Sequence, residues 1–573
     1  MILGIDLGTT NSAVGAFVDG KPQLIPNSLG KLLTPSVVGV ESNGEIIIGE
    51  AAKERLTTHS EDTIASFKRY MGTSREFTLG GQKFRPEELS SFILLSLKKD
   101  AERYFKKEIL EAIITVPAYF NDNQRKATRI AGELAGLKVE KLLNEPTAAA
   151  LAYGVHLDGD NQVALVLDLG GGTFDVSILE MFAGIMEVRA SAGDNFLGGD
   201  DFRQLLAEYF IKMNPEIRTD HLDRFLRNLI ENEADKAKIK LSHETETTME
   251  VPYKGKKRRL LITRDEFETL AQKFIERIQK PLELAIKDSR IRVDEITSII
   301  HVGGATRMPM ISQLSTKLFK RFPQKGIDPD LIVAEGASVQ AAMKEKNQAL
   351  KEMVLTDVCP YSLGIEIAKE MGDGRINAGK FLPIIERNTV VPRSRVESVY
   401  PVYDNQANLE INIYQGESYS IEENIFLGRL RLQIPTFCPI QERATEIRFT
   451  YDINGLLEVE AKVVKTGKVH KLIIEENPGV LSKEQVEKSL ERMKRIKIHP
   501  RDQTRNKAIL GRASRLYQEA LGKNRALIGN HIDMFSTILD RQRPEEIDEA
   551  CARFTELMDS LELNNLHSEE EYD

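Results

Sequence analysis

The feature that most constrains this chain is a segment that occurs twice. "GIDLGTTNSAV" from Gly4 and "LVLDLGGGTFDVSIL" from Leu165 share one outline: an apolar run, Asp-Leu-Gly, small and hydroxyl-bearing residues, then a second apolar run. The two aspartates, Asp6 and Asp168, lie a domain half apart rather than at the short period of a solenoid. A duplicated α/β unit, each copy carrying a hairpin at the tip of a buried strand, accounts for the echo. Glycine lets backbone N–H groups approach a ligand closely, and phosphate oxygens fit such a cradle. Gly8, Thr9, Thr10 and Asn11 supply donors from one turn, and Gly170, Gly171, Gly172 and Thr173 from the other. Neither turn is a GxxxxGK[ST] loop, which occurs nowhere in the chain. Carboxylates beside phosphate repel it unless a cation intervenes, so Asp6, Asp168 and Asp175 predict magnesium, held largely through its waters.

A length of 573 residues allows several cores. Up to about Leu350, short β-type runs (Ile113 to Val116, Val163 to Leu167, Ile299 to Val302) alternate with helical ones such as Gln124 to Leu137, which predicts an α/β region with buried sheets, residues 1–350. From Asp357 the texture turns to period-2 alternation. "NLEINIYQG" puts Leu409, Ile411 and Ile413 on one face, and Asn454-Gly455 inside "EIRFTYDINGLLEVEAKV" signals a hairpin turn, so residues 359–478 read as antiparallel β. Beyond Pro478, with Ser482 as a cap before "KEQVEKSLERMKRIK", the chain reads as helical over 479–573. The segment 351–358 between the first two blocks reads equally well as a last helical turn or as an apolar linker that needs a docking surface.

A formal charge of −9 offers no global attraction to nucleic acid or anionic membrane. Three cysteines without CxxC spacing and nine histidines without HxxxH or HExxH spacing indicate neither a disulfide framework nor a zinc site, and point to a reducing compartment. Met1 leads directly into Ile2-Leu3, and no run approaches about 18 apolar residues, so the expectation is a soluble cytoplasmic protein.

"GIDLGTTNS", "VPAYFNDNQR", "NEPTAAALAYG", "DLGGGTFDVSILE", "AGDNFLGGDDF" and "HVGGATRMPMI" resemble, in order, the signature segments of the DnaK-type seventy-kilodalton heat-shock chaperones. The similarity runs on through "DVCPYSLGIE" into the β block, and the "VLTDVCPYSLG" junction, "IIERNTVVP", "FTYDINGLLEVE" and short helical end are most similar to the HscC branch. The resemblance implies an actin-like (ribonuclease H-like) two-lobed ATPase domain, then an antiparallel β-sandwich that binds peptide and a short α-helical lid. It implies ATP or ADP with Mg2+, and K+ as a candidate companion ion.

Residue by residue, the resemblance implies that Lys68 in "SFKRYMG" is the catalytic lysine, although alone it reads as a solvated lysine. Glu145 matches the carboxylate that positions water and metal, and Thr173 a hydroxyl near the γ-phosphate; Asp168 and Asp175 complete the catalytic set. Gly198 and Gly199 resemble further phosphate-side turns, while Asp235, Lys238, Ser242, Gly303, Gly304, Arg307 and Asp330 fall where the family lines its adenosine pocket. Asp235 stands where relatives usually carry glutamate. Pro117 and Arg125 match elements that relay nucleotide state, and Lys141 and Asp357 fall where a J-domain protein is received. In the β block, Ile365, Val399, Leu409 and Ile411 match the lining of a peptide pocket, with Ala368 and Val402 near an arch over it; Ile365 and Ile411 read equally well as sandwich core. Thr356, polar where relatives are leucine-rich, predicts weaker linker docking. The implied partners are an unfolded or extended apolar polypeptide and a J-domain co-chaperone, with no membrane or nucleic acid and a monomeric state. The hairpin in "MEVPYKGKKRRLLI" is shorter than in common bacterial relatives, so dependence on the usual exchange factor is not assumed.

Two other classes share the hairpins: sugar-kinase or actin-like ATPases, and a holding or exchange partner with vestigial hydrolysis. The β and helical blocks after Val358 fit neither a phosphotransferase nor a filament former, and the presence of Lys68, Glu145, Asp168, Thr173 and Asp175 speaks against vestigial hydrolysis.

Overall fold

The computed structural model describes residues 1–41, 46–139, 141–154, 162–182, 185–217, 222–254, 256–345, 354–370, 376–452, 456–475, 504–520, 522–541 and 543–569. The Asn454-Gly455 turn, the Ser482 cap and the helical run after it lie outside the described residues.

Both copies of the repeated segment fold as hairpins. In the first lobe, β1 (Leu3–Asp6) and β2 (Asn11–Val18) pair antiparallel, with Asp6 opposite Ala13, and β3 (Lys21–Leu24), β4 (Ala112–Val116) and β5 (Leu142–Asn144) complete the sheet in the order β5-β4-β1-β2-β3. In the second lobe β6 (Gln162–Leu169) and β7 (Phe174–Phe182) pair antiparallel, placing Asp168 opposite Asp175. Around them stand β8 (Ile185–Asp194) and β9 (Ser298–Val302), with β9 parallel to β6. Strands buried on both faces account for runs such as "ALVLDL" that are apolar throughout rather than alternating.

Each lobe has its own core, and a third cluster binds the two together. That cluster takes Ile2, Ile113 and Leu143 from the first sheet, Ala164, Val166 and Ile300 from the second, and the small residues of α2 (Glu145–Gly154) and α6 (Ile332–Lys344) between them. The helices cross so closely that a Cβ on Gly336 would run into the carbonyl of Ala148. The alanine run in "NEPTAAALAYG" is therefore a packing requirement: larger side chains would wedge the lobes apart.

The described part of the joining segment is a docked linker rather than a helical turn. As β10 (Val354–Val358) it extends the second lobe's sheet, running parallel to β8 with Thr356 in register with Glu187. Asp357 and Val358 then pair antiparallel with β13 (Val390–Val391), a strand of the sandwich domain, so one sheet runs β9-β6-β7-β8-β10-β13 across the domain boundary. Thr356 does not leave this segment undocked, because the ladder uses backbone groups and a β-branched side chain suits a strand.

The sandwich packs one sheet, β12-β11-β15-β16, on another, β14-β17-β18-β19. These are β11 (Leu363–Glu370), β12 (Ile376–Ile385), β14 (Arg393–Val399), β15 (Asn408–Gln415), β16 (Ile425–Gln433), β17 (Thr445–Tyr451), β18 (Leu456–Val463) and β19 (Val469–Glu475). The described helical end, α7 (Thr504–Glu519), α8 (Gly522–Arg541) and α9 (Pro544–Glu569), closes on its own core around Phe535, Phe554 and Met558. The remaining helices used below are α1 (Asp122–Leu134), α3 (Gly199–Met213), α4 (Arg224–Leu241) and α5 (Gln272–Ser289). Among the described residues no helix is long and apolar enough to cross a membrane, and no cluster of His, Cys, Asp and Glu has metal-binding geometry.

Candidate functional site

The two hairpins face one cleft of about 380 Å³ between the lobes, a volume suited to a small-molecule ligand. Asp6, Gly8, Thr9, Thr10 and Asn11 line it from the first lobe, and Asp168, Gly170, Gly171, Thr173 and Gly199 from the second. Asp235, Lys238, Ser242, Gly303, Gly304, Arg307 and Asp330 also line it. Lys53, Asp200, Arg203 and His243 line it as well, and the sequence reading had not singled them out.

Three expected residues stand behind the wall rather than on it. Gly172 sits where a Cβ would meet Arg69 and Thr9, at the contact between lobes, and Gly198 is packed against the Gly171–Gly172 backbone. The amides of Gly199 and Asp200, at the start of α3, donate to the carbonyls of Gly170 and Gly171 at 2.9 and 2.8 Å, so they brace the second hairpin. Asp175 is buried at the hairpin base, where its Oδ1 accepts from the Tyr119 amide at 2.9 Å and its Oδ2 has no partner among the described residues.

Lys68 is not a solvated lysine. It is 3% exposed, its Nζ lies 2.9 Å from Glu145 Oε1, and it stands 5.5 Å from the centroid of the Phe120 ring. One ammonium thus shares a buried space with the carboxylates of Asp6, Glu145, Asp168 and Asp175. Burial first and Glu145 second push Asp6 up to about 7, although Lys68 and a hydrogen bond from Thr115 at 2.9 Å oppose the shift. Burial and Glu145 likewise raise Asp175 to about 7. Asp168, with Asp175 and Asp6 adding to burial and Glu145, is raised well above the ordinary carboxylate range. The cleft's own side chains therefore carry a surplus of negative charge that protons or a cation must neutralise. The donor set, glycine turns beside oxygen ligands with one acidic oxygen unpaired, fits a nucleotide with a hard divalent cation.

Among the residues of the expected adenosine pocket, Lys238 bonds Asp235 at 2.6 Å, and Arg307 bonds Asp330 and the neighbouring Asp328, each at 2.8 Å. The shorter aspartate at position 235 reaches its lysine neighbour. Over the mouth, Ser66 donates to Asp200 at 2.6 Å and Arg69 pairs with Asp201 at 3.2 Å, tying the lobes together.

The family profile described as Hsp70 protein matches residues 2–523. The chain belongs to the Hsp70 family. Chaperone protein DnaK of Thermotoga neapolitana is 42% identical over 509 residues, covering 86% of this chain and 83% of that protein. The DnaK proteins of Thermotoga maritima and Thermosipho africanus, at 42% and 40% identity, cover the same shares. As an Hsp70, this protein is an ATP-dependent chaperone, an ATPase whose hydrolysis is coupled to protein folding. Its architecture is that of the family: a two-lobed actin-like domain, a β-sandwich and a helical end.

The four residues expected to serve relay and docking fall together. Asp357, on β10, accepts from Asn144 Nδ2 at 3.0 Å, and Asn144 Oδ1 accepts from Arg125 at 2.7 Å. Arg125 also bonds the carbonyls of Phe120 and Ala118 at 3.0 and 3.1 Å, in the turn that Pro117 opens. Lys141 bonds Gln340 at 3.2 Å on the same side. Burial pushes the Asp357 carboxyl up, while the Val358 amide, Arg125, Lys141 and Asn144 oppose the shift. Asn144 and Tyr119 lay inside quoted motifs without being singled out. Tyr361, the first aromatic of the sandwich, donates to the Tyr119 carbonyl at 2.8 Å, and the Tyr119 amide is the one that holds Asp175.

The six expected peptide residues differ in exposure. Ile365 and Ile411 are 1% and 2% exposed within the sandwich core, and Val399 and Leu409 rest partly buried against it. Ala368 is half-buried on β11, and Val402 is exposed at 38%.

Proposed function

We propose that this chaperone grips extended apolar segments of unfolded polypeptides in its sandwich domain, and that ATP in the interlobe cleft sets how tightly it grips them. In this reading the hairpin amides and hydroxyls of Thr9, Thr10, Asn11 and Thr173 hold the phosphates, and Asp6 and Asp168, backed by Asp175, hold a hydrated magnesium ion, with potassium as a companion. Magnesium, when bound, supplies charge neutralisation between phosphate oxygens and carboxylates. Lys68 presents a fixed positive charge toward the γ-phosphoryl group, and Glu145 orients both Lys68 and the attacking water. Asp235, Lys238, Ser242, Arg307 and Asp330 receive the nucleoside end. Val399 and Leu409, with Ile365 and Ile411 behind them, line the peptide site, and Ala368 and Val402 lie near the arch over it. Lys141 and Asp357 receive a J-domain protein, and the chain acts as a monomer in the cytoplasm. The short helical end and the "VLTDVCPYSLG" junction support a place in the HscC branch.

One observation carries the coupling: β10 belongs at once to the ATPase sheet and, through β13, to the sandwich. Two sites joined by one bistable element bias each other reciprocally. An apolar peptide is therefore expected to raise ATP turnover, and ATP to speed release of a labelled peptide. Stopped-flow release and steady-state turnover with the purified chain measure both, and absence of both effects would defeat the reading.

The pKa shifts give a pH prediction. Asp6 and Asp175, raised from 3.8 to about 7, keep protons in the empty cleft that ordinary carboxylates would lose. Binding to their charged forms must expel those protons, so affinity for magnesium nucleotide is expected to rise from about pH 6 to about pH 8 and level off above. The sign for folding is opposite. The empty domain holds more protons than the unfolded chain between about 4 and 7, so these two groups lower its stability as pH rises through that window. Calorimetry in two buffers of different ionisation enthalpy reads the release directly; identical heats at pH 6.5 would refute it.

A further inference from the structure

A second cavity among the described residues is larger than the nucleotide cleft. A space of about 580 Å³ lies where the second lobe, the sandwich and the helical end meet. Seven cationic side chains line it against five carboxylates, and the carboxylates are already engaged. Asp288 and Glu417 hold Arg387 at 2.8 and 2.7 Å, Glu187 holds Arg189 at 3.1 Å, and Glu546 and Glu386 hold Arg543 at 3.0 and 3.6 Å. Lys287 and Arg290, at the end of α5, and Arg393 and Arg395, on β14, face the same space.

The two β14 arginines are anomalous for their positions. Arg393 and Arg395 lie directly opposite Tyr451 and Phe449, both buried in the sandwich core, so they occupy the core-facing side of an edge strand. Alternation assigns such positions to apolar side chains. Arg395 donates from Nη1 to the carbonyl of Arg541, at the end of α8, at 3.1 Å, while its Nε is buried with no hydrogen-bond partner among the described residues. Burial, with Arg543 adding to it, lowers the affinity of that guanidinium for its proton, against Glu386 and Glu546. A partly buried guanidinium whose buried Nε lacks a partner is one that an anion would complete.

We propose that this junction cavity binds a compact phosphate-type oligoanion, held by Arg393 and Arg395 from the sandwich and by Lys287 from the second lobe, with Arg543 of the helical end closing over it. The guanidinium fork matches phosphate oxygens in pairs, and a cavity with surplus positive charge favours a multiply charged ligand over a single carboxylate. Its walls come from three parts of the chain, so the anion binds only the arrangement in which all three are docked. At about 100 times its Kd it shifts the docked-to-undocked ratio by about 100-fold.

The test uses the full chain loaded with one equivalent of magnesium ADP and cleared of excess, so that the cleft is filled. Titration with tripolyphosphate is expected to show one further saturable site. Arg393→Ser with Arg395→Ser is expected to weaken it at least about 30-fold, and Lys287→Glu at least about fivefold. A thermal-unfolding trace checks the double variant; should that variant not fold, Lys287→Glu, on an exposed residue of the opposite wall, decides alone. A parallel titration with GTP separates two sources of the same chemistry: equal affinity points to a free phosphate chain, tighter binding to a nucleotide. No site with the cleft filled, or affinity unchanged in the folded variants, would overturn the proposal.

Discussion

Replacement of Lys68 by alanine is expected to slow single-turnover ATP hydrolysis by about 10²–10³-fold while nucleotide affinity moves by less than about tenfold. Lys68 is the positive charge placed among Asp6, Glu145, Asp168 and Asp175, and its ammonium is desolvated, so its field at the cleft is not screened as a surface lysine's would be. In the proposed binding mode, affinity rests mostly on the hairpin amides and hydroxyls that line the cleft, which the substitution leaves in place. Under the same proposal hydrolysis asks more of the site, because charge would shift onto oxygens facing Lys68 as the γ-phosphoryl group departs.

A second variant separates chemistry from charge balance. Lys68→Ala leaves Glu145 buried without its partner, and breaking a buried pair typically costs about 3–5 kcal/mol when one member remains charged. Glu145→Gln combined with Lys68→Ala removes that penalty. If Lys68 served only to neutralise Glu145, the double variant would be no slower than Glu145→Gln alone; if it acts on the phosphoryl group, the double variant falls well below that single variant. A loss of less than about tenfold in Lys68→Ala would remove Lys68 from the mechanism.

Local chemistry determined what the sequence could reveal. The hairpins were legible because glycine, hydroxyl and aspartate follow a buried strand within a few residues, and the repeat placed two such turns in one fold. Lys68 was not, because its burial depends on Glu145, a partner 77 positions away. β10 was missed for the same reason: Met353-Val354-Leu355 is apolar in any conformation, and what makes it a strand is the exposed edge at Ile185–Glu187 and the receiving strand at Val390–Val391. Period-2 alternation identified the face carrying Leu409, Ile411 and Ile413, yet a core-facing side chain and a pocket-lining one occupy the same face, so alternation alone could not separate them. The arginines at 393 and 395 broke that alternation, and only the cavity they face gives the departure a physical sense.

Asp357→Ala is the second substitution with a large expected effect, and its effect is on coupling. Peptide stimulation of ATP turnover is expected to fall at least about fivefold, the low end of typical allosteric coupling, while thermal unfolding of the sandwich is retained. Asp357 fastens β10 to Asn144 at 3.0 Å, and the next residue, Glu145, holds Lys68 at 2.9 Å. Movement of the strand is thus two covalently adjacent residues away from the catalytic pair. Contiguity alone does not establish coupling, so the decisive measurement is a double-mutant cycle. Asn144→Ala and Asp357→Ala should share most of their loss, giving an interaction energy of about 0.5–3 kcal/mol in the stimulated rate. Strict additivity would mean that the strand communicates by another route. Thr356→Leu provides the contrast. If docking is carried by the backbone ladder to β8 and by the Asp357 anchor, restoring an apolar side chain at position 356 changes stimulation by less than about twofold; a large gain would show that side-chain burial, rather than the anchor, limits how firmly the two domains communicate.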